Sequence, residues 1–172
     1  MLTFVAASIL ALAPLQQPQA GPSAAELAAM KKLHFLVGKW EGTGWMQMGP
    51  QRQEAKGSEH VQVKLQGKAL LVEGLFADVA NGKVVHETMA VITYDEKASK
   101  YRFNTYLYNR PNAEYELSLK DNGVAWQMKV GEGTFVDFTM GIDKGDWLEI
   151  GEVTMPGRPK MKFLEMRLKK VN

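Results

Sequence analysis

The chain has 172 residues, 45% hydrophobic and 23% charged, enough for one globular domain with a sizeable core and unlike a disordered composition. Twenty-one basic residues against 19 acidic ones leave a net charge of +2, too balanced for nucleic acid or an anionic membrane to be the main partner. Cysteine is absent, which excludes disulfides, Cys-ligated zinc, iron–sulfur clusters, thiol catalysis and a lipidated N-terminal cysteine.

Residues 1–20 carry no charge, and Leu2 to Leu15 is an apolar run broken only by small residues and Pro14. The run is too short to span a bilayer and fits a signal-peptide core, with Ala20 as a small-residue exit. The sequence therefore predicts an exported protein, periplasmic or secreted, whose single domain occupies residues 21–172. No other segment is long and apolar enough for a membrane span, so no stable membrane insertion of the mature chain is expected.

A helix is predicted over about residues 23–35. Ser23 can cap the free amides while Glu26, three residues on, reaches back to complete a capping box. Leu27, Met30, Leu33 and His34 fall at helical spacing. A helix this short is marginal alone in water, so it must lie on something, and an open barrel end is the obvious partner.

From Trp40 the period changes to two. Trp40, Gly42, Gly44, Met46 and Met48 share one face of a first strand, which Gly49-Pro50 ends. Glu59, Val61, Val63 and Leu65 then alternate with His60, Gln62 and Lys64. Ala69 to Asp78 is a mostly apolar strand, and Asn81-Gly82 marks a hairpin because both positions tolerate positive φ. Lys83 to Tyr94 returns, Tyr101 to Tyr108 is rich in aromatics, and Asn109 to Asn112 reads as a loop. Five further strands follow: Ala113 to Lys120, Val124 to Val130, Thr134 to Ile142, Asp146 to Met155 and Lys160 to Lys169. Glycine-bearing turns separate them.

Roughly ten strands joined by tight turns make an antiparallel meander, and closing the sheet removes its aggregation-prone edges. The predicted fold is an all-β, antiparallel up-and-down barrel with one short N-terminal helix capping an end. A β-sandwich is the alternative, but its Greek-key crossovers need longer connections than this chain offers.

Gly38-x-Trp40 on a first strand after a short helix, followed by a meander, resembles the calycin-type barrels: lipocalins, fatty-acid-binding proteins and their relatives. The fuller run Phe35-Leu36-Val37-Gly38-Lys39-Trp40-Glu41-Gly42-Thr43-Gly44 looks more specifically like an uncharacterised bacterial family with a nitrobindin-like or lipocalin-like barrel. Tyr94-Asp95 followed by Lys100-Tyr101 fits the same family. The resemblance implies that a basic residue on the final strand lies over the first-strand Trp, and Arg167 is the candidate clamp on Trp40. It also implies a haem ligand, a histidine late in the chain. The three histidines are His34, His60 and His86, with none later, so no cofactor is expected. His86 resembles the histidine that lines the cavity in those relatives.

The case for chemistry is thin. The histidines are far apart and form no metal-ligand spacing, so no metal site is expected. No nucleophile elbow, phosphate loop or dinucleotide fingerprint is present, and no catalytic residue is assigned. What remains is a cavity. Gly42 and Gly44 leave space on the Trp40 face, Met46 and Met48 would line it, and His86 and Tyr106 are further candidates. Tyr108, Trp126 and Phe138 belong to the same set, with their strands' facing open. The expected partner is a small hydrophobic or amphipathic molecule held inside the barrel. The competing readings are an enzyme with His86 as acid–base group beside a Glu or Tyr, and a barrel whose interior is filled.

Overall fold

The computed structural model of the protein describes residues 21–171; the apolar leader of residues 1–20, and with it the predicted signal peptide, lies outside them. A helix α1 (Ala24–Lys31) and a 3-10 turn (His34–Leu36) precede ten strands. These are β1 (Gly38–Met46), β2 (Gln53–Lys64), β3 (Ala69–Asp78), β4 (Val84–Asp95) and β5 (Lys100–Leu107). The second half holds β6 (Arg110–Lys120), β7 (Gly123–Gly131), β8 (Thr134–Asp143), β9 (Asp146–Thr154) and β10 (Met161–Val171). Each strand pairs antiparallel with the next, and β1 pairs with β10 to close the barrel. The predicted all-β up-and-down barrel of about ten strands with one N-terminal helix is therefore the fold.

Turn chemistry sets the meander. Gly82 takes φ 72° and donates its N–H to Asp78 O in the β3–β4 hairpin. Lys144 and Gly145, both at positive φ, make the two-residue β8–β9 turn. The segment after Tyr108, expected as a loop, is instead a tight turn into β6, and Pro111 is tolerated because pairing there is irregular, with a register shift between Thr105 and Leu107. The β6–β7 seam is the loosest: only Ser118, Leu119 and Lys120 pair, with Ala125, Val124 and Gly123. Further along that seam the Tyr115 hydroxyl donates to Met128 Sδ at 3.4 Å, so side chains bridge where the backbones part.

Residues 23–36 close one barrel end. Ser23 caps the helix by accepting from Glu26 N at 3.0 Å. The capping box stays half-made, because the Glu26 carboxylate turns to Lys68 at 3.6 Å. Met30, Leu33 and Leu36 are fully buried against the barrel interior, each contributing on the order of 1.5–3 kcal/mol by apolar burial. The Tyr101 hydroxyl donates to Ala29 O at 2.8 Å, and Trp40 Nε1 donates to Leu36 O at 2.8 Å. Trp40 is thus a buried structural ring, 2% exposed, held between the cap and the barrel.

The cation over Trp40 is not the expected one. Trp40 pairs with Lys170 across β1–β10, whereas Arg167 pairs with Thr43 on the outward face. Lys170 Nζ lies 5.2 Å from the Trp40 ring centroid and donates to Val37 O at 2.9 Å. Arg167 is directed away from the ring, to Asp143 at 2.8 Å and Asp146 at 3.7 Å. Strand parity decides this, since Arg167 is an odd number of residues from the inward-facing Met166 and Leu168.

Candidate functional site

Above the closed end the barrel is hollow. A cavity of about 830 Å³ runs to the opposite end, where the β1–β2, β5–β6, β7–β8 and β9–β10 turns form its mouth. One wall is aromatic. Phe103 meets Trp126 edge-on at 5.2 Å, Trp126 stacks on Phe138 at 5.0 Å, and Phe138 meets Phe163 at 5.9 Å. Thioethers of Met46, Met128, Met140, Met155, Met161 and Met166 line much of the rest, a surface that adapts to varied shapes.

The floor is polar. Trp147 lies there, 1% exposed and edge-on to Trp40 at 5.7 Å, so Trp40 sits one layer below the ring that meets the cavity. Two carboxyls line the cavity with Trp147: Glu59 from β2 and Glu149 from β9. Glu59 is 5% exposed, and its Oε2 has no hydrogen-bond partner. Burial, and secondly the neighbouring Glu149 charge, push the Glu59 carboxyl up to about 8. Burial likewise pushes Glu149 up to about 7, while the Trp147 side chain pulls the other way. The Trp147 indole N–H makes no fully formed hydrogen bond, so its help to Glu149 is partial. Near neutral pH this floor therefore holds at least one carboxyl proton.

Glycines make the room. Glu59 opposes Gly74 on β3, and a Cβ at Gly74 would sit 2.5 Å from Glu59 Oε1 and 2.8 Å from Oε2. Gly57, one inward position further along β2, gives the Phe76 ring its place: a Cβ there would stand 2.7 Å from Phe76 Cδ1.

The predicted site residues divide. Gly44, Met46, Met48 and His86 line the cavity. Met48 does so only at the rim, 75% exposed. Gly42 does not line it: a Cβ there would collide with the Arg167 carbonyl and Leu168 Cα, so this glycine permits close β1–β10 approach and leaves no ligand space. Tyr106 points outward at 39% exposure, because the inward residues of β5 are Tyr101, Phe103 and Thr105. Tyr108 is exposed as well, whereas Trp126 and Phe138 are in the aromatic wall.

His86 packs on Phe76 with ring centroids 6.1 Å apart, and burial, then the Arg110 charge, lower its pKa. It is neutral near physiological pH. Among the described residues it makes no side-chain hydrogen bond to a carboxylate or tyrosine. The late strands offer the cavity Phe138, Met140, Trp147, Glu149 and Met166, and no imidazole. That donor set does not fit haem held by a late histidine.

No protein-family profile matches the chain, and no curated protein sequence matches it significantly. Its structure is similar to the crystal structure of Rv2717c from M. tuberculosis, with a TM-score of 0.60 over 84% of this chain and 98% of that one. Sequence identity is 14%, so the likeness is one of fold. The shared fold is a closed antiparallel barrel, which in this chain has ten strands and a short helix closing one end.

Proposed function

We propose that the protein binds a small amphipathic molecule inside its barrel, with the apolar part against the aromatic and methionine walls and a polar group at the Glu59–Glu149 floor. The observation that carries this is the 830 Å³ cavity itself, of the size that encloses a small organic ligand. A barrel of this strand number can also fill its interior with side chains; here large side chains fill only the capped end. The enzyme reading is weaker because, among the described residues, His86 makes no hydrogen bond to a carboxylate or tyrosine. We propose further that binding takes place after export, which rests on the uncharged apolar leader of residues 1–20.

Native mass spectrometry of protein purified from its own source tests both parts. The expected spectrum has a chain lacking about 20 N-terminal residues and carrying a noncovalent adduct that denaturation removes. A full-length chain would refute export. An adduct-free spectrum, together with failure to bind any medium-chain amphiphile, would refute the binding role.

A further inference from the structure

An apolar ligand alone leaves the cavity floor unexplained. Glu59 lines the cavity, and its Oε2 is buried with no hydrogen-bond partner. Gly74 clears the space that lets this carboxyl lie there. Glu149, from β9, lines the same cavity and adds a second carboxyl, whose charge opposes ionisation of the first. Among the described residues, no basic side chain at the floor answers them. The basic groups lining the same cavity are Arg110 and Lys162 at its mouth, where Lys162 is already paired to Glu165 at 2.7 Å. His86, the imidazole of the wall, is not protonated near neutral pH. A buried carboxyl beside a half-buried one, with no cation to compensate them, is costly, and an apolar or amide side chain would avoid the cost.

We infer that the cavity selects amphipathic molecules carrying a basic nitrogen, an aliphatic or aryl-alkyl amine, with the ammonium group hydrogen-bonded to the Glu59 and Glu149 carboxyls and the tail along the Phe103–Trp126–Phe138 wall. This rests on the reading that the cavity binds a small amphipathic molecule. Near pH 6.5 the empty pair holds two protons; the ammonium N–H groups donate to the carboxyls, one of those protons leaves to solvent, and the other stays with the pair. A monocation and a pair sharing one proton together carry no net charge, which suits a low-dielectric floor. Anionic amphiphiles are disfavoured by the same carboxyls. Neutral alcohols gain the apolar wall but lack the ion pair.

Three probes of equal chain length, decylamine, decanol and decanoate, separate these contributions when titrated against tryptophan fluorescence. Decylamine is expected to bind at least about tenfold more tightly than decanol, with decanoate weakest. In the double variant Glu59→Gln, Glu149→Gln the amine preference collapses to parity while decanol affinity is kept. Calorimetry of the wild-type protein near pH 6.5, in two buffers of different ionisation enthalpy, should register proton release with decylamine and none with decanol. If the double variant does not fold, the single Glu149→Gln variant and the wild-type proton release carry the test. Decanol binding as tightly as decylamine would overturn the inference and leave the cavity reading standing, as would an amine preference that survives both substitutions. Failure of all three probes to bind would overturn both.

Discussion

Glu59 lies over Gly74: the carboxyl occupies the volume that any side chain at the opposing position of β3 would need. One bare Cα thus holds the cavity's buried acid in place. Replacing Gly74 with Ala sets a methyl against Oε1 and Oε2, and overpacking of this kind costs about 1–3 kcal/mol. In a Glu59→Ala background the same substitution should cost almost nothing, because the obstructing carboxyl is gone. Urea titration of the four proteins in the cycle measures the coupling. Equal cost in both backgrounds would mean that Gly74 serves the backbone and not Glu59.

The floor makes stability depend on pH. Glu59 and Glu149 hold their protons up to about 8 and about 7 when folded, against 4.5 for an unperturbed Glu. The folded state therefore binds more protons than the unfolded one across this interval. Stability is highest below about pH 4.5 as far as these two groups are concerned, falls as pH rises, and levels off above about pH 8. Taken at face value the two groups together set an upper limit on this fall on the order of 8 kcal/mol, because each tenfold change in proton affinity is worth on the order of 1.4 kcal/mol. Glu59→Gln should flatten the profile and raise stability in mild alkali. A profile that rises between neutrality and mild alkali would contradict the burial of both carboxyls.

Lys170, and not Arg167, supports Trp40. Arg167→Ala breaks only exposed ion pairs with Asp143 and Asp146, and should cost under about 1 kcal/mol. Lys170→Ala removes the cation over the ring and the bond to Val37 O, for about 1–2 kcal/mol. Trp40→Ala should cost about 3–5 kcal/mol, the usual range for a buried aromatic. Chemical denaturation ranks the three; an Arg167 variant less stable than the Lys170 variant would reverse the assignment.

Gly42 is expected to tolerate no side chain. Its Cβ would meet β10 backbone, which cannot swing aside, whereas Gly49 has open space around it. Gly42→Ala should therefore lower the thermal midpoint clearly and Gly49→Ala hardly at all. Both belong to one scanning-calorimetry series.

Local chemistry made the barrel legible. Turn glycines, alternation and the lone capped helix all point one way, and the structure follows them. The segment 53–58 of β2 was not legible, because its inward positions, Ala55 and Gly57, are too small to mark an apolar face. The parity of β10 could have been read: Leu164, Met166 and Leu168 alternate with Glu165, Arg167 and Lys169, which already sets Arg167 on the outer face. Tyr106 sits opposite Phe103 and Thr105 in the same sense.

The floor was hidden for a different reason. Glu149 shares its face with Trp147 and Gly151, but the outward Leu148 and Ile150 are the more apolar set, so the alternation of β9 misleads. Glu59 is on the face of Val61 in the sequence pattern. Only the closure of β1 on β10 brings β2 and β9 near each other across the barrel, and no local pattern reports that distance.

Whether the interior is open and takes a ligand is tested most directly by filling it. Thr88 faces the cavity from β4, and Thr88→Trp places an indole in the ligand's space while leaving the cap end untouched. Calorimetric titration with decanol should give one-to-one binding to the wild-type protein and a loss of at least about tenfold in affinity in the variant, with near-ultraviolet circular dichroism confirming that the variant is folded. Binding of equal strength in a folded Thr88→Trp protein, or no binding to the wild type at all, would contradict the account.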